Sequence, residues 1–483
     1  MAIRFEVMEK DIAGRLGRLR VGEKTVRTPA LFPVVNPHLP LIPPAEIQAM
    51  GAEAIITNAY IFATSERFRE PALADGLHRV LGFDGVIMTD SGAFQQSVYG
   101  DVEVTNRETI AFQQAIGSEI LVPLDIATPP QADRATAESD LGITIGRIRE
   151  AAEVAGTEQL AAPVQGGRFP DLREKAGRAV AELGFSFTPI GGVVPLMEAY
   201  RYRDLVEVVL AAKRGLSPAS LVHLFGAGHP SMLALAVAMG CDVFDSAAYA
   251  LFAREGRYLT ATGSRKLDEM TELSCPCEAC RGRTAASLRE DPGCEGLLAR
   301  HNLSITLLEM ARIREAIREG TLWELVDDRC RGHPRLLDGY RALLEYAGEL
   351  EARDRVSKNR FFYRGSESCL RTEVHRHHRL IARVPVAGRV LVTFTGRVLP
   401  GFDTILFFRP PFGPYPPGLA ETFPVGQSEI PSWDRDMVAS GCTGIRSMME
   451  SHPGVPFTIL AQPEWAELVR SVLPGAEVCR EPL

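Results

Sequence analysis

The segment Thr89-Asp90-Ser91-Gly92-Ala93-Phe94-Gln95 contains a carboxylate, a hydroxyl and an aromatic ring within five residues, Asp90 to Phe94. It follows Val86-Ile87-Met88, an apolar run typical of a short buried strand. A strand that ends in this way places an acid or base beside a surface on which a flat ring can stack. An isolated motif of this type would more often use Asp90 to cap a helix. Its interpretation therefore depends on whether the pattern recurs.

The pattern does recur, because polar residues follow five further apolar runs. These residues are Asp125, Gln165-Gly166-Gly167, Gly191-Gly192-Val193, Phe225-Gly226-Ala227-Gly228-His229 and Asp245-Ser246. A single Gly-Gly pair usually marks a turn. Six polar strand ends together indicate one site assembled from six loops, as at the carboxyl ends of barrel strands.

The elements that would position these residues are eight apolar runs separated by stretches of helical spacing. The runs cover residues 29–35, 54–58, 86–89, 120–124, 160–164, 187–190, 221–225 and 241–244. The helical stretches cover residues 45–50, 107–116, 140–154, 171–183, 200–212 and 231–239. Eight alternations predict an α/β fold of the (β/α)8 TIM-barrel type. A doubly wound open sheet is the alternative, but it gives no reason for the count to stop at eight.

A cysteine cluster follows the last of these strands. Cys275, Cys277 and Cys280, with His301 twenty-one residues beyond Cys280, offer three thiolates and an imidazole. This is a closed tetrahedral donor set for one zinc ion with no open position, so the metal is predicted to be structural. Cys294 is the alternative fourth ligand. Leu303, Leu307, Met310, Ile313 and Ile317 share one face of a helix predicted to start at His301, which the metal would attach to the barrel.

Residues 346–483 differ in character and are predicted to form a smaller α+β region. Residues 353–383 contain nine Lys or Arg against three acidic residues, with the aromatic run Phe361-Phe362-Tyr363 among them. Such a segment suits a nucleic-acid backbone, although an ordinary solvated face is an equal alternative. Strands are expected at 389–394, 404–408 and 457–460. The prolines of 409–418 predict an extended, rigid path across a surface.

Composition limits the classes of protein that this chain can represent. A length of 483 residues fits two or three domains, and the hydrophobic fraction of 46% is that of a soluble globular protein. We find no signal peptide and no apolar run long enough to span a bilayer, and so expect a cytoplasmic protein without membrane association. Nine cysteines then favour metal binding or free thiols over disulfides. The net charge of −8 argues against a generally basic nucleic-acid binder.

Taken together, the motifs resemble those of the tRNA-guanine transglycosylases, and most closely the archaeal type. The resemblance covers about residues 1–345, as a catalytic barrel domain with its zinc site at 275–301. The segments 409–418 and 424–429 resemble the archaeal C-terminal region, which would contact tRNA. The sequence after Asp245, Ser246-Ala247-Ala248-Tyr249-Ala250, differs from that of queuine-type enzymes. We expect no terminal RNA-binding PUA domain, whose role a separate protein could then supply.

The resemblance implies a base exchange on tRNA. Guanine at position 15 of the D-arm would leave and 7-cyano-7-deazaguanine (preQ0) would replace it, which is the first tRNA-level step of archaeosine synthesis. Double displacement through a covalent Asp–ribose intermediate would keep the sugar configuration. Asp245 is the expected nucleophile and Asp90 the general acid and base, although the sequence alone could exchange the two. The expected base-binding residues are Ser91, Phe94 as a stacking surface, Asp125, Gln165, Gly191, Gly192 and Val193.

Three alternatives remain open at this point. The first is a queuine-type enzyme acting at the anticodon wobble position. The second is a non-catalytic tRNA-binding subunit on the same fold, although the presence of both Asp90 and Asp245 argues against it. The third is a related enzyme that acts on a base already inserted. The resemblance further implies one structural zinc ion, tRNA and the free bases as partners, and a homodimer.

Overall fold

The apolar runs between residues 30 and 246 form short parallel strands that alternate with helices. The structure is a computed structural model that describes residues 2–92 and 105–480. The strands are Ala30–Pro33, Ala54–Asn58, Val86–Asp90, Ile120–Leu121, Phe187–Ile190, Leu221–Leu224 and Val243–Ser246. Side chains from every one of them pack in one buried apolar cluster, as runs apolar on both faces require. The predicted α/β class is confirmed.

Parallel pairing connects these strands in two rows. One row runs from Ala30–Pro33 through Val243–Ser246 and Leu221–Leu224 to Phe187–Ile190. The other row joins Ala54–Asn58, Val86–Asp90 and Ile120–Leu121. Isolated parallel bridges connect the rows at both ends, from Val34 to Ile56, and through residues 160–164 by Leu121–Leu160, Ala161–Phe187 and Val164–Ile190. The carboxyl ends of all these segments therefore point the same way.

Prolines shorten the fourth and fifth predicted strands. The fourth ends at Leu121 instead of residue 124, and residues 160–164 form bridges instead of a continuous strand. Pro123 and Pro163 lie within these runs and have no backbone N–H to donate to a ladder. Val164 still donates to Pro189 O at 2.7 Å, so the segment keeps its place beside its neighbour.

Helices occupy the connections. Their bounds are Pro44–Ala49, Ala59–Thr64, Arg69–Asp75, Leu77–Leu81, Asn106–Ala115, Arg134–Ala155, Pro170–Glu182, Val194–Glu198, Tyr202–Gly215, Pro230–Ala238 and Ala248–Arg254. Local signals determine where several helices start. Asp133, directly before the helix Arg134–Ala155, accepts a hydrogen bond from Thr136 N, and Pro170 and Pro230 are the first residues of two other helices. None of the helices in the described ranges is both long and apolar enough to cross a membrane.

An N-terminal antiparallel sheet precedes the parallel strands, and the sequence did not predict it. It consists of Ile3–Asp11, Gly14–Val21 and Lys24–Thr28 in that order. Its outer strand is largely exposed, and so lacks a continuous apolar run that would have revealed it. The central strand buries Leu16, Leu19 and Val21.

The cysteine-rich segment lies after a short hairpin formed by Arg257–Thr260 and Gly263–Lys266. The helices that follow are Ala285–Glu290, Cys294–Glu319, Leu322–Cys330, Pro334–Leu344 and Ala347–Glu351. The predicted start of the long helix at His301 is wrong, because the helix begins seven residues earlier at Cys294. His301 consequently lies inside the helix, where it is buried.

The chain divides into two compact units. The first comprises Met1–Arg318 and Leu325–Ala342, and the second comprises Glu319–Glu324 and Leu343–Leu483. In the second unit a five-stranded sheet has the order Gly413–Tyr415, Thr404–Arg409, Val390–Thr393, Phe457–Ala461, Glu477–Arg480. Its helices are Thr372–Ile381, Arg435–Ser451 and Ala466–Val472, and Phe361–Phe362 pairs with Ser428–Glu429. The proline-rich segment is not uniformly extended, because Gly413–Tyr415 turns back to pair antiparallel with Thr404–Arg409.

Candidate active site and metal centre

Asp90 is the last residue of its strand and is only partly buried. Asn58, opposite it in the neighbouring strand, donates from Nδ2 to Asp90 Oδ2 at 3.4 Å. Removal from water, followed by repulsion from Asp125 and Asp245, raises the pKa of Asp90 to about 7. The charges of Asp125 and Asp245 thus act on Asp90, which indicates that these three carboxylates lie near one another. A carboxyl group with this pKa can both donate and accept a proton at neutral pH.

Asp245 lies in the strand Val243–Ser246 and is held by two donors. His223 Nε2 donates to Asp245 Oδ1 at 2.8 Å, and the backbone N–H of Gly226 donates to the same oxygen at 2.9 Å. Both donors come from the neighbouring strand Leu221–Leu224 or the turn after it. The other oxygen, Oδ2, receives no hydrogen bond from the described residues. Asp245 thus has one fixed oxygen and one available oxygen.

Asp125 and Gln165 form a polar pair beside a glycine turn. Gln165 Nε2 donates to Asp125 Oδ2 at 2.6 Å. A Cβ on Gly191 would lie 2.3 Å from Gln165 Nε2, and one on Gly192, where φ is +68°, would lie 2.9 Å from Gln165 Oε1. Only glycine permits this close approach. Burial raises the pKa of Asp125, although the hydrogen bond from Gln165 opposes that shift.

Arg173 fixes the loops that carry these residues. Its guanidinium is fully buried and donates to three carbonyl oxygens, those of Gly167 at 2.9 Å, Val164 at 2.9 Å and Gly191 at 2.7 Å. These bonds connect the ends of the fifth and sixth strand segments. Burial lowers the pKa of Arg173 to about 10, against the opposing charge of Asp125. The charge remains at neutral pH and partly balances the carboxylates.

Four predicted metal ligands also converge. One ligand atom from each of Cys275, Cys277, Cys280 and His301 lies within 4.8 Å of the others. His301 Nδ1 is 3.6 Å from Cys277 Sγ and 3.4 Å from Cys280 Sγ, while His301 Nε2 donates to Leu259 O at 2.9 Å. That outer hydrogen bond fixes the tautomer with Nδ1 free to bind a metal. Three thiols and one imidazole at these distances fit a metal ion.

Cys294 is not part of the cluster. It is half-buried as the first residue of the helix that carries His301, which is seven residues further along. Seven residues span about two helical turns, or about 10 Å. This separation explains why the alternative fourth ligand lies apart from the other three cysteines.

Comparison with known proteins decides the family. The family model described as queuine tRNA-ribosyltransferase matches residues 11–335, which include all of these carboxylates and cysteines. The tRNA-guanine(15) transglycosylase of Haloarcula marismortui is 49% identical over 462 residues, which cover 94% of each chain. The chain belongs to the archaeal-type tRNA-guanine transglycosylases. It is accordingly an enzyme of the glycosyltransferase class.

Other relatives of this transglycosylase differ in length. The tRNA-guanine(15) transglycosylase of Archaeoglobus fulgidus is 44% identical over 482 residues, covering 98% of this chain and 99% of the relative. That of Thermococcus kodakarensis is 48% identical over 428 residues, covering 88% of this chain and 71% of the relative. The similarity therefore extends through both units.

The predicted site residues that the structure describes lie at the ends of the parallel strands or in the segments that follow them. Ser91 is buried and its hydroxyl has no hydrogen-bond partner among the described residues. Phe94 lies outside the described residues. Val193 is buried and directly precedes the helix Val194–Glu198. The catalytic and base-binding roles stay predictions at this point.

Sequence reasoning missed three residues of the transglycosylase site: Asn58, Arg173 and His223. Asn58 had a usable signal, because it is the polar end of the second strand and matches the rule that identified Asp90. His223 was visible only as a lone polar residue within an apolar run. Arg173 lies in a charged helix whose composition predicts exposure, so its buried position had no local signal.

The basic segment 353–383 is largely neutralised within the second unit. Arg376 is buried and donates to Glu351 Oε1 at 2.9 Å, while Arg379 binds both oxygens of Glu351. Arg371 is buried between Glu324 and Glu373. Burial lowers the pKa of His377, and lowers that of His378 to about 4, so both are neutral at pH 7. The count of basic residues therefore overstates the charge available to RNA.

Proposed function

We propose that this transglycosylase replaces guanine at position 15 of the tRNA D-arm with 7-cyano-7-deazaguanine. The observation that carries the proposal is the convergence of Asp90, Asp125 and Asp245, one ready to transfer a proton and one held by two donors. The relatives named tRNA-guanine(15) transglycosylase support the position of the exchange. Asp125 and Gln165 support a heterocycle with hydrogen-bonding edges.

The reaction is a double displacement. Asp245 attacks C1′ of the ribose as the bond from C1′ to the base nitrogen breaks, and the departing guanine takes a proton from Asp90. The incoming base then gives a proton to Asp90 and attacks C1′, which releases the Asp245 carboxylate. Two inversions keep the sugar configuration. The raised pKa of Asp90 suits it to both proton transfers.

Base recognition involves Ser91, Asp125, Gln165 and the backbone of Gly191 to Val193. Gln165 and Asp125 present an amide and a carboxylate against the glycine turn, which leaves no room for side chains at Gly191 and Gly192. A purine-like edge offers donors and acceptors that such groups bind. Phe94 supplies the stacking surface in this proposal, on its sequence position alone.

We further propose that the parallel strands close into a (β/α)8 barrel. The two rows of paired strands are joined by bridges at both ends, so following the pairing from Ala30–Pro33 leads back to that strand. Closure places all the polar strand ends on one face, where barrel enzymes have their active sites.

The metal of the cysteine cluster is proposed to be one structural zinc ion. Three thiolates and the Nδ1 of His301 complete a tetrahedral set, so the ion stabilises the segment 275–301 without taking part in the exchange. We also propose that the enzyme acts in the cytoplasm as a homodimer. A separate PUA-containing protein could add affinity for tRNA.

A guanine exchange assay tests this function. Purified enzyme is incubated with radiolabelled guanine and archaeal tRNA transcripts carrying either guanine or adenine at position 15. We expect label in the first transcript only, and its release when unlabelled 7-cyano-7-deazaguanine is added. Label at the anticodon wobble position would favour the queuine-type alternative. No incorporation into any transcript, with tRNA binding intact, would favour a non-catalytic binding subunit.

A further inference from the structure

His223 is a polar residue in an otherwise apolar strand interior. Its side chain is 0% exposed and lies against the rings of Phe32, Phe187 and Phe225, with centroid separations of 6.0, 5.9 and 4.7 Å. Its one hydrogen bond in the described part of the chain joins Nε2 to Asp245 Oδ1. Nδ1 is buried without a hydrogen-bond partner there.

These contacts define the state of the imidazole. Nε2 faces a carboxylate oxygen, and therefore carries the hydrogen. A proton on Nδ1 as well would put an unpaired N–H among aromatic rings, which is costly. The contacts of His223 therefore fit a ring that donates from Nε2 to Asp245. A phenylalanine at this position would fill the same space without the unpaired nitrogen, so packing alone does not explain a histidine here.

We propose that His223 is a positioning residue for the nucleophile, fixing Asp245 Oδ1 so that Oδ2 is the oxygen that attacks C1′. This inference depends on the covalent reaction proposed above. Gly226 N–H acts on the same oxygen. In the glycosyl-enzyme, Asp245 Oδ2 is bonded to C1′ and Oδ1 becomes the ester carbonyl oxygen, which keeps both donors. When the second base attacks, the C1′–Oδ2 bond breaks and both electrons return to the carboxylate, which the two N–H groups stabilise.

Two substitutions separate the effect of the N–H donor from the effect of the ring. His223→Gln keeps an N–H near the place of Nε2 but loses the ring, whereas His223→Phe keeps the ring and loses the N–H. Loss of a hydrogen bond to a charged group predicts that His223→Phe slows adduct formation about 10- to 100-fold. His223→Gln should retain most of the wild-type rate. KM for tRNA should be unchanged in both.

His78→Phe is the matched control. His78 Nε2 is also bonded to a carboxylate, Glu119 Oε1, at 2.6 Å. Glu119 directly precedes the strand Ile120–Leu121, and its Oε2 accepts a hydrogen bond from Ile87 N. Ile87 lies near the start of the strand that ends at Asp90, so this bond is at the amino ends of the strands. The control removes a histidine–carboxylate bond from the opposite strand ends. It should lower thermal stability and leave the adduct rate unchanged.

The experiment is single-turnover formation of the covalent enzyme–tRNA adduct at saturating tRNA, with thermal melting of each variant. Slow adduct formation by His223→Phe, together with fast adduct formation by His223→Gln, supports the proposal. Equal rates for wild type and His223→Phe, or equally slow Phe and Gln variants with unchanged melting, would overturn it. If His223→Phe does not fold, the smaller His223→Leu is judged by the same criteria. An absence of adduct in the wild type contradicts the proposed covalent function instead.

Discussion

Charged groups are neutralised to different extents at the strand ends of the first unit and in the basic segment 353–383 of the second. Asp90 forms no ion pair with any lysine or arginine of the described residues, and its pKa is raised to about 7. In the second unit, Arg376 and Arg379 share Glu351. Burial raises the pKa of Glu351, but the bonds from these arginines more than offset it. Charges left incompletely neutralised at a stability cost indicate a reactive site, whereas charges paired at close range indicate a structural role.

The largest effect is expected where a charge is removed from the reactive cluster. Asp245→Asn keeps the shape of the side chain but loses the carboxylate that we propose as the nucleophile, so exchange should fall at least about 10³-fold. Binding of tRNA, measured by filter retention, should persist. Exchange at an undiminished rate would show that Asp245 is not the nucleophile, and Asp90 would become the leading candidate.

Asp90→Asn should reduce exchange about 10²- to 10⁴-fold by removing the proposed proton donor. It should also stabilise the protein. Because the folded pKa is raised from 3.8 to about 7, ionisation of Asp90 destabilises the native state. This cost is absent below pH 3.8 and complete above pH 7. The gain from Asn should therefore grow across that window, to at most about 4 kcal/mol.

Denaturant unfolding of wild type and Asp90→Asn between pH 4 and pH 8 measures this gain. A constant difference across the range would show that Asp90 is not destabilised by burial and its carboxylate neighbours. A lower stability of the variant at pH 8 would show that the Asp90 carboxylate stabilises the fold, as the paired charges of the second unit do.

The cysteine cluster tests a third type of charged site, in which the proposed zinc ion would balance the thiolates. Cys277→Ser removes one of four ligands, so zinc content should fall and the melting temperature should decrease. Cys294→Ser is the control and should keep its metal, because Cys294 lies outside the cluster. Elemental analysis that finds one zinc ion per chain in wild type and in Cys277→Ser alike would contradict the ligand assignment.

The smallest effects on base exchange are expected from substitutions of the arginines in the basic segment. Arg376→Gln removes one of the two arginines that bind Glu351, and should cost about 2 kcal/mol of folding free energy without changing the salt dependence of tRNA binding. Arg360, which is partly exposed and 3.4 Å from Glu319, is the better candidate for RNA. Arg360→Gln should flatten the salt slope by about one unit per lost phosphate contact. An unchanged slope in the folded Arg360→Gln variant would exclude Arg360 from the RNA surface.

The sequence predicted those parts of the fold whose signals are local. The strands Ala54–Asn58 and Phe187–Ile190 match their apolar runs, since both strands are buried on both faces. The strand Ile3–Asp11 has mainly exposed side chains, so it had no such signal. The strand at residues 160–164 is interrupted because Pro163 has no backbone N–H to donate, and a prediction from hydrophobicity alone does not take this into account.

The candidate site likewise contains some residues that have a local sequence signal and others that have none. Asp90 and Asp245 were identified because polar residues at the ends of apolar strands are conspicuous. The bonds of Arg173 to Gly191 O and of His223 to Asp245 connect residues 18 and 22 positions apart. Nothing in the local sequence encodes such partners. The acidic partner of Arg376 lies 25 residues away, which explains why composition alone overstated the free basic charge.

The most direct measurement is the location of the covalent intermediate. Wild-type enzyme is mixed with tRNA, denatured, digested with nuclease and protease, and analysed by mass spectrometry. We expect a ribose-linked mass on the peptide containing Asp245, and its removal when free guanine or 7-cyano-7-deazaguanine is added before denaturation. A modified Asp90, or rapid exchange without any adduct, would contradict the proposed role of Asp245 as the nucleophile.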